Sequence, residues 1–308
     1  MKKTVVILIA GPTASGKSAL AHMLAERLSG SVINADSMQV YRDLRILTAR
    51  PSEAQMQAVP YRLYGHVPGS EAYSAARYAE EARAALGEAR AAGQVPIVVG
   101  GTGLYFKALI EGLSPIPAIP PDIRARWRDA AVEQGAAALH ALLAARDPVM
   151  AARLRPTDPQ RIVRALEVLE ATGTSLARWQ EMPGEPVIQL EDAFHLVVSP
   201  PREVLRQRID TRFDAMIEEG AAEEVRDLAR LGLAPDLPLM RALGVRPLME
   251  MQAGRLARNE AIEGAKAETR QYAKRQVTWL RSNMSSWKWI DTQYMESLAC
   301  DLCAIIKA

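Results

Sequence analysis

The sequence predicts an α/β protein, in which helices flank a parallel sheet built around a phosphate-binding loop (P-loop) and an all-helical subdomain is inserted. Three observations predict this fold. Gly11–Ser18 reads GPTASGKS and directly follows the apolar run Val5–Ala10. Short apolar stretches then alternate with helical patterns, as in a parallel sheet. Between residues 115 and 190, however, only helical patterns occur.

The first hundred residues predict a β-α-β-α-β order, which folds as a doubly wound parallel sheet. The expected strands are Val5–Ala10, Ser31–Ala35 and Val95–Val99, and the expected helices are Ala19–Ser29 and Ser74–Ala92. Gly30 and Gly93 follow the two helices, where C-terminal caps belong. Loops after the strands should therefore meet at the carboxyl edge of the sheet, where ligands bind.

The middle of the chain predicts the inserted subdomain. A proline-rich entry precedes helical patterns at Ile123–Glu133, Ala136–Ala145 and Pro159–Ala171, and His195–Ser199 then returns to the sheet as a strand. Later helices are expected at Arg202–Glu219, Glu223–Leu231 and Asn259–Arg281, with a last strand at Trp287–Ile290. We divide the chain into a core (1–114), a helical insert (115–190) and a return to the core with C-terminal helices (191–308).

Composition sets broad limits on the protein. Its 308 residues are 49% hydrophobic, and 38 basic against 36 acidic residues give a net charge of +2, which neither requires nor excludes a nucleic-acid partner. The first apolar run is too short for a signal peptide, and no stretch approaches the roughly 18 apolar residues of a spanning helix. Together with the presence of only two cysteines, this predicts a reducing, cytoplasmic setting. We also expect a monomer without a membrane partner. Cys300 and Cys303 lack the second pair of a zinc site and are expected as packed thiols on a C-terminal helix.

The phosphate loop carries the clearest chemistry. Its glycines let successive N–H groups point toward a phosphate, Lys17 adds a positive charge, and the Ser18 hydroxyl is a ligand for Mg²⁺. A chance match is the alternative, but the strand before the loop and the helix after it are the context that the motif requires. The expected diphosphate-binding residues are Gly11, Pro12, Thr13, Ala14, Ser15, Gly16, Lys17 and Ser18.

The strand that usually supplies an acidic Mg²⁺ ligand lacks one here. Val95–Val99 runs into Gly100 and Gly101, which argues against a hydrolytic motor. Asp36 follows Lys17 by 19 residues at the predicted carboxyl edge, where it could act as a base beside a bound polyphosphate. From its spacing alone, Asp36 could equally be a helix cap or a turn residue.

Five blocks together resemble the bacterial tRNA dimethylallyltransferases, also called tRNA isopentenyltransferases. The blocks are Gly11–Ser18, Asp36–Tyr41, Gly100–Tyr105, Asp158–Ile162 and Ala273–Arg281. The resemblance runs from near Thr4 to about Ile290. It implies transfer of a dimethylallyl group from dimethylallyl diphosphate to N6 of the adenosine 3′ to the anticodon, position 37, in tRNAs that read codons beginning with U. It also implies a Mg²⁺ requirement and a helical insert that helps to hold the anticodon stem-loop.

The resemblance also implies residue roles. Asp36 would accept the proton of the adenine amine, and Lys17, Thr13 and Arg212 would act at the diphosphate. Without the resemblance, Arg212 could be an ordinary solvated helix arginine. Arg208, one turn earlier, is the second candidate for the diphosphate contact.

The tRNA-binding surface is expected on three parts of the chain. The residues concerned are Asp36, Ser37, Met38, Gln39, Thr102, Arg124, Gln160, Arg161, Arg164, Lys274, Arg275 and Arg281. Lys266–Arg281 has a local charge of +4, and Arg153–Arg164 has a charge of +3. Either run alone is more often a solvated helix face, but both include blocks that match the family.

Two other functions fit a phosphate loop. One is a small-molecule kinase, in which the loop holds ATP, Asp36 accepts a hydroxyl proton and the insert acts as a lid. The other is a nucleotide-dependent RNA-binding switch without catalysis. The basic run Lys266–Arg281 is needed by the transferase and by the switch, but not by the kinase.

Overall fold

A computed structural model describes residues 5–291 and 295–307 of the protein. Its sheet has six parallel strands in the order β3-β2-β4-β1-β5-β6. The strands are β1 (Val6–Ala10), β2 (Gly30–Asn34), β3 (Tyr61–Arg62), β4 (Val95–Gly100), β5 (Ala193–Val198) and β6 (Lys288–Ile290). The predicted parallel sheet is therefore confirmed, with all strand carboxyl ends at one edge.

Helices account for most of the remaining described chain. They are α1 (Lys17–Leu28), α2 (Glu53–Ala58), α3 (Ala75–Ala91), α4 (Gly103–Ile110), α5 (Pro121–Arg146), α6 (Pro148–Arg153), α7 (Pro159–Thr172), α8 (Leu176–Gln180), α9 (Arg202–Glu218), α10 (Ala221–Arg230), α11 (Val245–Gln252), α12 (Arg258–Asn283) and α13 (Met295–Lys307). Two short 3₁₀ helices span Leu190–Asp192 and Pro238–Arg241. None of the helices in the described ranges is both long and apolar enough to cross a membrane.

The alternation of side chains along β1 divides the core into two layers. Val6 and Leu8 pack against α3 and α4, whereas Ile7 and Ile9 pack against α1 and α13. All four side chains are fully buried. Because consecutive residues of a strand face opposite sides of a sheet, an uninterrupted apolar run predicts a strand covered on both faces.

A third apolar cluster anchors the chain that follows β2. Val40, Tyr41 and Leu44 pack there against residues of α9, α10 and α11. The carboxylate of Glu224 accepts the backbone N–H groups of three consecutive residues, 45–47, and so fixes the next turn. The segment from Asp36 onward is thereby held by helices that lie almost two hundred residues later in the chain.

The chain divides into two compact units, one formed by Met1–Ile110 with Val187–Ala308 and the other by Glu111–Pro186. Residues 111–186 are all described, and they contain α5–α8 and no strand. This unit has its own core, in which Trp127, Leu139 and Leu143 of α5 pack on Ile162 and Leu166 of α7. The insert expected from sequence, 115–190, starts and ends four residues later than this unit.

Some local predictions were wrong. Ser29, and not Gly30, ends α1 in the left-handed conformation (φ 49°), and Gly30 is the first residue of β2. The helix α2 and the strand β3, which lie in a segment with several prolines, were not predicted from sequence. The start of α4, which lies in the block Gly100–Tyr105, was not predicted either. Cys300 is exposed and accepts a hydrogen bond from Arg27 (3.2 Å), so it is not the packed thiol expected.

Candidate active site

The loops after β1, β2 and β4 meet at the carboxyl edge of the sheet. The backbone N–H of Gly11 donates to the carbonyl of Gly100 (3.3 Å), and that of Thr102 donates to the carbonyl of Ala35 (3.2 Å). The N–H of Ser37 donates to the Thr102 hydroxyl (2.9 Å). The phosphate loop, the Asp36 turn and the second glycine-rich loop therefore form one continuous backbone platform.

The phosphate loop curls because Gly16 adopts a positive φ of 90°, which favours glycine. Part of its backbone is already bonded within the protein: the N–H of Ser15 donates to the Pro12 carbonyl, and that of Lys17 to the Ser15 hydroxyl. The first helical bond of α1 runs from the N–H of Leu20 to the carbonyl of Gly16 (3.2 Å). The N–H groups of Ser18 and residue 19 precede it, as at any helix N-terminus, and can bind an anion.

Thr13 is held from two sides. A guanidinium nitrogen of Arg212, on α9, donates to the Thr13 hydroxyl (2.5 Å), and the Thr13 N–H donates to the side-chain oxygen of Gln276 (2.9 Å). The Thr13 hydroxyl keeps its own proton to donate to another oxygen. Arg208 is exposed one turn earlier on α9, so the structure places Arg212, and not Arg208, against the loop.

Lys17 lies beside both Asp36 and Arg212. Its ammonium group donates to the Pro12 carbonyl (3.2 Å). The pKa of Lys17 is lowered to about 8, mainly by burial; Asp36 opposes this change, and Arg212 adds to it. Burial also lowers the pKa of Arg212, and Asp36 again opposes that change. The carboxylate of Asp36 thus interacts electrostatically with both cations.

Asp36 lies in a turn shaped by the buried side chain of Asn34. The Asn34 amide accepts the N–H of Asp36 (2.8 Å) and donates to the carbonyls of Asp36 and Leu63. One carboxylate oxygen of Asp36, Oδ1, accepts the N–H of Met38 (2.9 Å). The second oxygen, Oδ2, has no hydrogen bond within the described ranges. Asp36 therefore acts as the turn residue that its spacing allowed and still has an oxygen that can accept a proton.

Ser18 is exposed at the first turn of α1, next to the phosphate loop. Among the residues described, no group of three or more His, Cys, Asp or Glu side chains is arranged to hold a metal ion. Mg²⁺ commonly takes only one or two protein ligands and completes its shell with waters and substrate phosphates. A single accessible hydroxyl beside a phosphate loop fits that mode of binding.

Two residues of α12 at this site were missed by sequence reasoning. Gln276 is buried between the phosphate loop and Gly101, and Trp279 packs so tightly on Gly103 that a Cβ there would lie 2.4 Å from its ring. The available signal was a polar residue in the buried stripe Ala273-Gln276-Leu280 of an amphipathic helix. The sequence predicts only an RNA-binding role for this block.

The basic run on α12 is less basic than its sequence indicates. Lys266 pairs with Asp214 (2.7 Å) and Glu263 (3.0 Å), and Arg270 pairs with Asp210. The local charge of +4 is therefore largely neutralised at its N-terminal half by acids of α9. Lys274, Arg275 and Arg281 are exposed and form no ion pair within the described chain, and these three residues make the basic surface of α12.

The other residues expected to bind tRNA lie in two places. Met38 and Gln39 follow Asp36, and the Gln39 amide donates to the carbonyls of Thr48 and Ala49 (2.8 and 2.9 Å). Arg124, Gln160 and Arg161 are exposed in the helical unit. Within that unit Asp158 caps α7 by accepting the N–H of Arg161, and Arg164 contacts Glu167 (3.4 Å). Arg164 is thus partly neutralised.

Two family models match the chain. One, described as IPP transferase, matches residues 39–283, and the other, described as isopentenyl transferase, matches residues 4–67. Together they cover the phosphate loop, the Asp36 turn, the helical unit and α12. The first match alone spans well over half of the chain.

Curated relatives match over nearly the whole length. The tRNA dimethylallyltransferase of Parvibaculum lavamentivorans is 53% identical over 300 residues, which cover 97% of this chain and 95% of the relative. The enzyme of the same name from Agrobacterium fabrum is 55% identical over 278 residues, which cover 90% of this chain and 93% of the relative. These relatives do not favour a kinase.

Solved structures agree with this result. The tRNA isopentenylpyrophosphate transferase of Bacillus halodurans superposes with a TM-score of 0.70 at 33% identity, covering 99% of this chain and 97% of that one. A eukaryotic dimethylallyltransferase acting on tRNA gives a TM-score of 0.78 at 30% identity, covering 94% of this chain and 74% of that one. The fold, the site and the similarity over nearly all residues establish that the chain belongs to the IPP transferase family.

Proposed function

We propose that the protein transfers a dimethylallyl group from dimethylallyl diphosphate to N6 of the adenosine at position 37, 3′ to the anticodon, in tRNAs that read codons beginning with U. The observation that carries this proposal is the placement of one carboxylate, Asp36, beside a phosphate loop whose cations are Lys17 and Arg212. Such a site can stabilise a departing diphosphate and accept a proton from the incoming amine.

The reaction breaks the bond between the allylic carbon and a diphosphate oxygen, and the electron pair leaves with the oxygen. Negative charge then grows on the diphosphate, where the N–H groups at the start of α1, the Lys17 ammonium and the Thr13 hydroxyl can each donate to it. Arg212 fixes the Thr13 hydroxyl and adds positive charge nearby. Donors placed before the reaction begins stabilise such charge without reorganising.

A new C–N bond forms between N6 and the allylic carbon, and N6 loses a proton. Because an exocyclic adenine amine is a weak nucleophile, a carboxylate that accepts this proton assists the attack. Asp36 Oδ2 is the acceptor that we assign, since Oδ1 already bonds to the N–H of Met38. In a single-stranded anticodon loop, moving the target base out of its stack costs only a few kcal/mol.

Mg²⁺ is the cofactor that we propose, and Ser18 is the residue that would ligate it together with the diphosphate. When bound, Mg²⁺ neutralises part of the charge on the leaving group.

The free cysteines fit a reducing cytoplasm, and we propose a monomer as the working form.

A label-transfer assay tests the proposed function against its alternatives. The protein is incubated with Mg²⁺, unmodified tRNA and either labelled dimethylallyl diphosphate or labelled ATP. We expect label from the prenyl donor in tRNA and none from ATP in small molecules. Label from ATP in a small molecule, with none in tRNA from the prenyl donor, would instead identify a kinase. Binding of tRNA without any transfer would favour the RNA-binding switch.

The pH dependence of donor use should reflect Lys17. Below pH 8 its ammonium is charged and attracts the diphosphate, whereas above pH 8 the neutral amine does not. We expect kcat/KM for the donor, which reports groups of the free enzyme, to fall as the pH rises through about 8. A Lys17→Arg variant stays charged and should lack this decline. A wild-type profile that stays level through this range would contradict the assignment.

Charge reversal on α12 should weaken tRNA binding. In the double variant Lys274→Glu/Arg275→Glu, each lost phosphate contact should reduce the slope of log K against log salt by about 0.7 to 0.9. The control Arg90→Glu/Lys288→Glu makes the same charge change at exposed positions near the amino ends of β4 and β6, opposite the site. Binding titrations over a series of salt concentrations measure both variants. An unchanged slope in the α12 variant would exclude these residues from the interface.

A further inference from the structure

Gln276 lies at an unusual position on α12. The buried face of this helix includes Ala265, Thr269, Ala273, Gln276 and Leu280, so Gln276 is a primary amide within a mostly apolar stripe. Only 6% of its surface is exposed. A buried amide is costly unless both of its ends are hydrogen-bonded, so the bonds of Gln276 define its role.

Both ends of the amide bond to loops of the active site. Its oxygen accepts the N–H of Thr13 in the phosphate loop (2.9 Å), and its nitrogen donates to the carbonyl of Gly101 after β4 (2.9 Å). The phosphate loop offers a hydrogen-bond donor, and the loop after β4 offers an acceptor. A side-chain amide satisfies both in a single orientation. A Cβ at position 101 would lie 2.2 Å from the Gln276 nitrogen, so any residue other than glycine there would displace the amide from this position.

The two loops have different roles in the proposed reaction: one binds the leaving group, and the other supports the turn that carries the proton acceptor. Thr13 belongs to the diphosphate cradle and is bonded to Arg212. Gly101 precedes Thr102, whose hydroxyl accepts the N–H of Ser37, the residue after Asp36. Hydrogen bonds, together with the peptide bond from Gly101 to Thr102, therefore join the cradle of the leaving group to the turn that carries the proton acceptor, and Gln276 is the central member of this series.

We propose that Gln276 is a positioning residue that fixes the distance between the diphosphate cradle and the Asp36 turn. This inference rests on the proposed transferase function. A displacement of about 1 Å between reacting groups can lower a rate about 10²-fold, so the amide that links the two loops, in addition to the backbone bond from Gly11 to Gly100, can have a large kinetic effect. The same helix exposes Lys274 and Arg275, so the helix proposed to bind RNA also sets the geometry of the site.

The test compares Gln276→Met, which keeps a similar volume without hydrogen bonds, with Gln276→Asn, whose amide is too short to reach both loops. Thr269→Val is the matched control, because Thr269 is another buried polar residue of α12 but bonds only to the carbonyl of Ala265 within the helix (2.8 Å). For both Gln276 variants we expect kcat to fall about 10- to 100-fold. Their tRNA dissociation constants should stay close to that of the control.

Amide hydrogen exchange at Thr13 gives a readout that does not depend on activity. The Thr13 N–H should exchange more than about tenfold faster in the Gln276 variants than in the wild type or in Thr269→Val, because its acceptor is lost. Weaker tRNA binding with an unchanged kcat would overturn the proposal and make Gln276 an RNA contact. Equal kcat and equal exchange in the Gln276 variants and the control would reduce its role to packing. If the wild type transfers no dimethylallyl group, the transferase function fails, and the exchange rates still decide whether Gln276 links the loops.

Discussion

Asp36→Asn is expected to lower the rate at saturating donor and tRNA by about 10²- to 10⁴-fold while changing donor affinity by only a few-fold. The amide has the shape of the carboxylate, and its oxygen can still accept the N–H of Met38, so the turn is retained. What is lost is the oxygen that we propose as the acceptor of the N6 proton. Asp36→Ala should lose the same activity, but it also removes the bond to Met38.

The experiment measures kcat and the donor dissociation constant at a pH well below 8. Asp36 raises the pKa of Lys17, so removing the charge of Asp36 lowers that pKa further, and Lys17 then loses its charge at a lower pH than in the wild type. Asp43→Asn is the matched control, since Asp43 also accepts a backbone N–H, that of Gly69 (2.6 Å), in the same segment of chain. If donor affinity collapses while the rate at saturation survives, Asp36 is a structural residue.

The parts of the site that the sequence predicted are those encoded locally. A phosphate loop is a contiguous motif whose strand and helix lie directly beside it, and Asp36 follows the next strand. Parallel strands place such loops at one edge, so their proximity follows from strand order alone. The helical insert was predictable for the same reason, because strand patterns are absent from one continuous stretch.

The contacts that could not be predicted join residues far apart in the sequence. Gln276 bonds to Thr13 across 263 positions, and no local pattern specifies that partner. The charge of α12 was overestimated because Lys266 and Arg270 are neutralised by Asp214 and Asp210 of another helix. A count of charges along one segment cannot include partners that only tertiary folding supplies.

Arg212→Met is expected to lower kcat/KM for the donor by about 10²- to 10³-fold, the usual effect of removing one preorganised donor from a site of developing negative charge. Arg212→Lys should restore only part of this loss, because an ammonium keeps the charge but lacks the planar fork of donors. Arg208→Met is the control, since Arg208 is exposed one turn earlier on α9. Equal losses in Arg208→Met and Arg212→Met would contradict the placement of Arg212 at the leaving group.

The bond from Arg212 to the Thr13 hydroxyl makes a sharper test possible. If Arg212 acts partly by aiming this hydroxyl at the diphosphate, removing the hydroxyl in Thr13→Val should reduce the further effect of Arg212→Met. The double variant would then lose less activity than the product of the two single losses, with a coupling of about 0.5 to 3 kcal/mol. Strictly multiplicative losses would mean that Arg212 acts on the diphosphate by its charge alone. The dissociation constant of inorganic diphosphate should be measured for the wild type, the two single variants and the double variant. A substitution that weakens binding of the diphosphate group changes this constant, whereas one that only slows the chemical step does not.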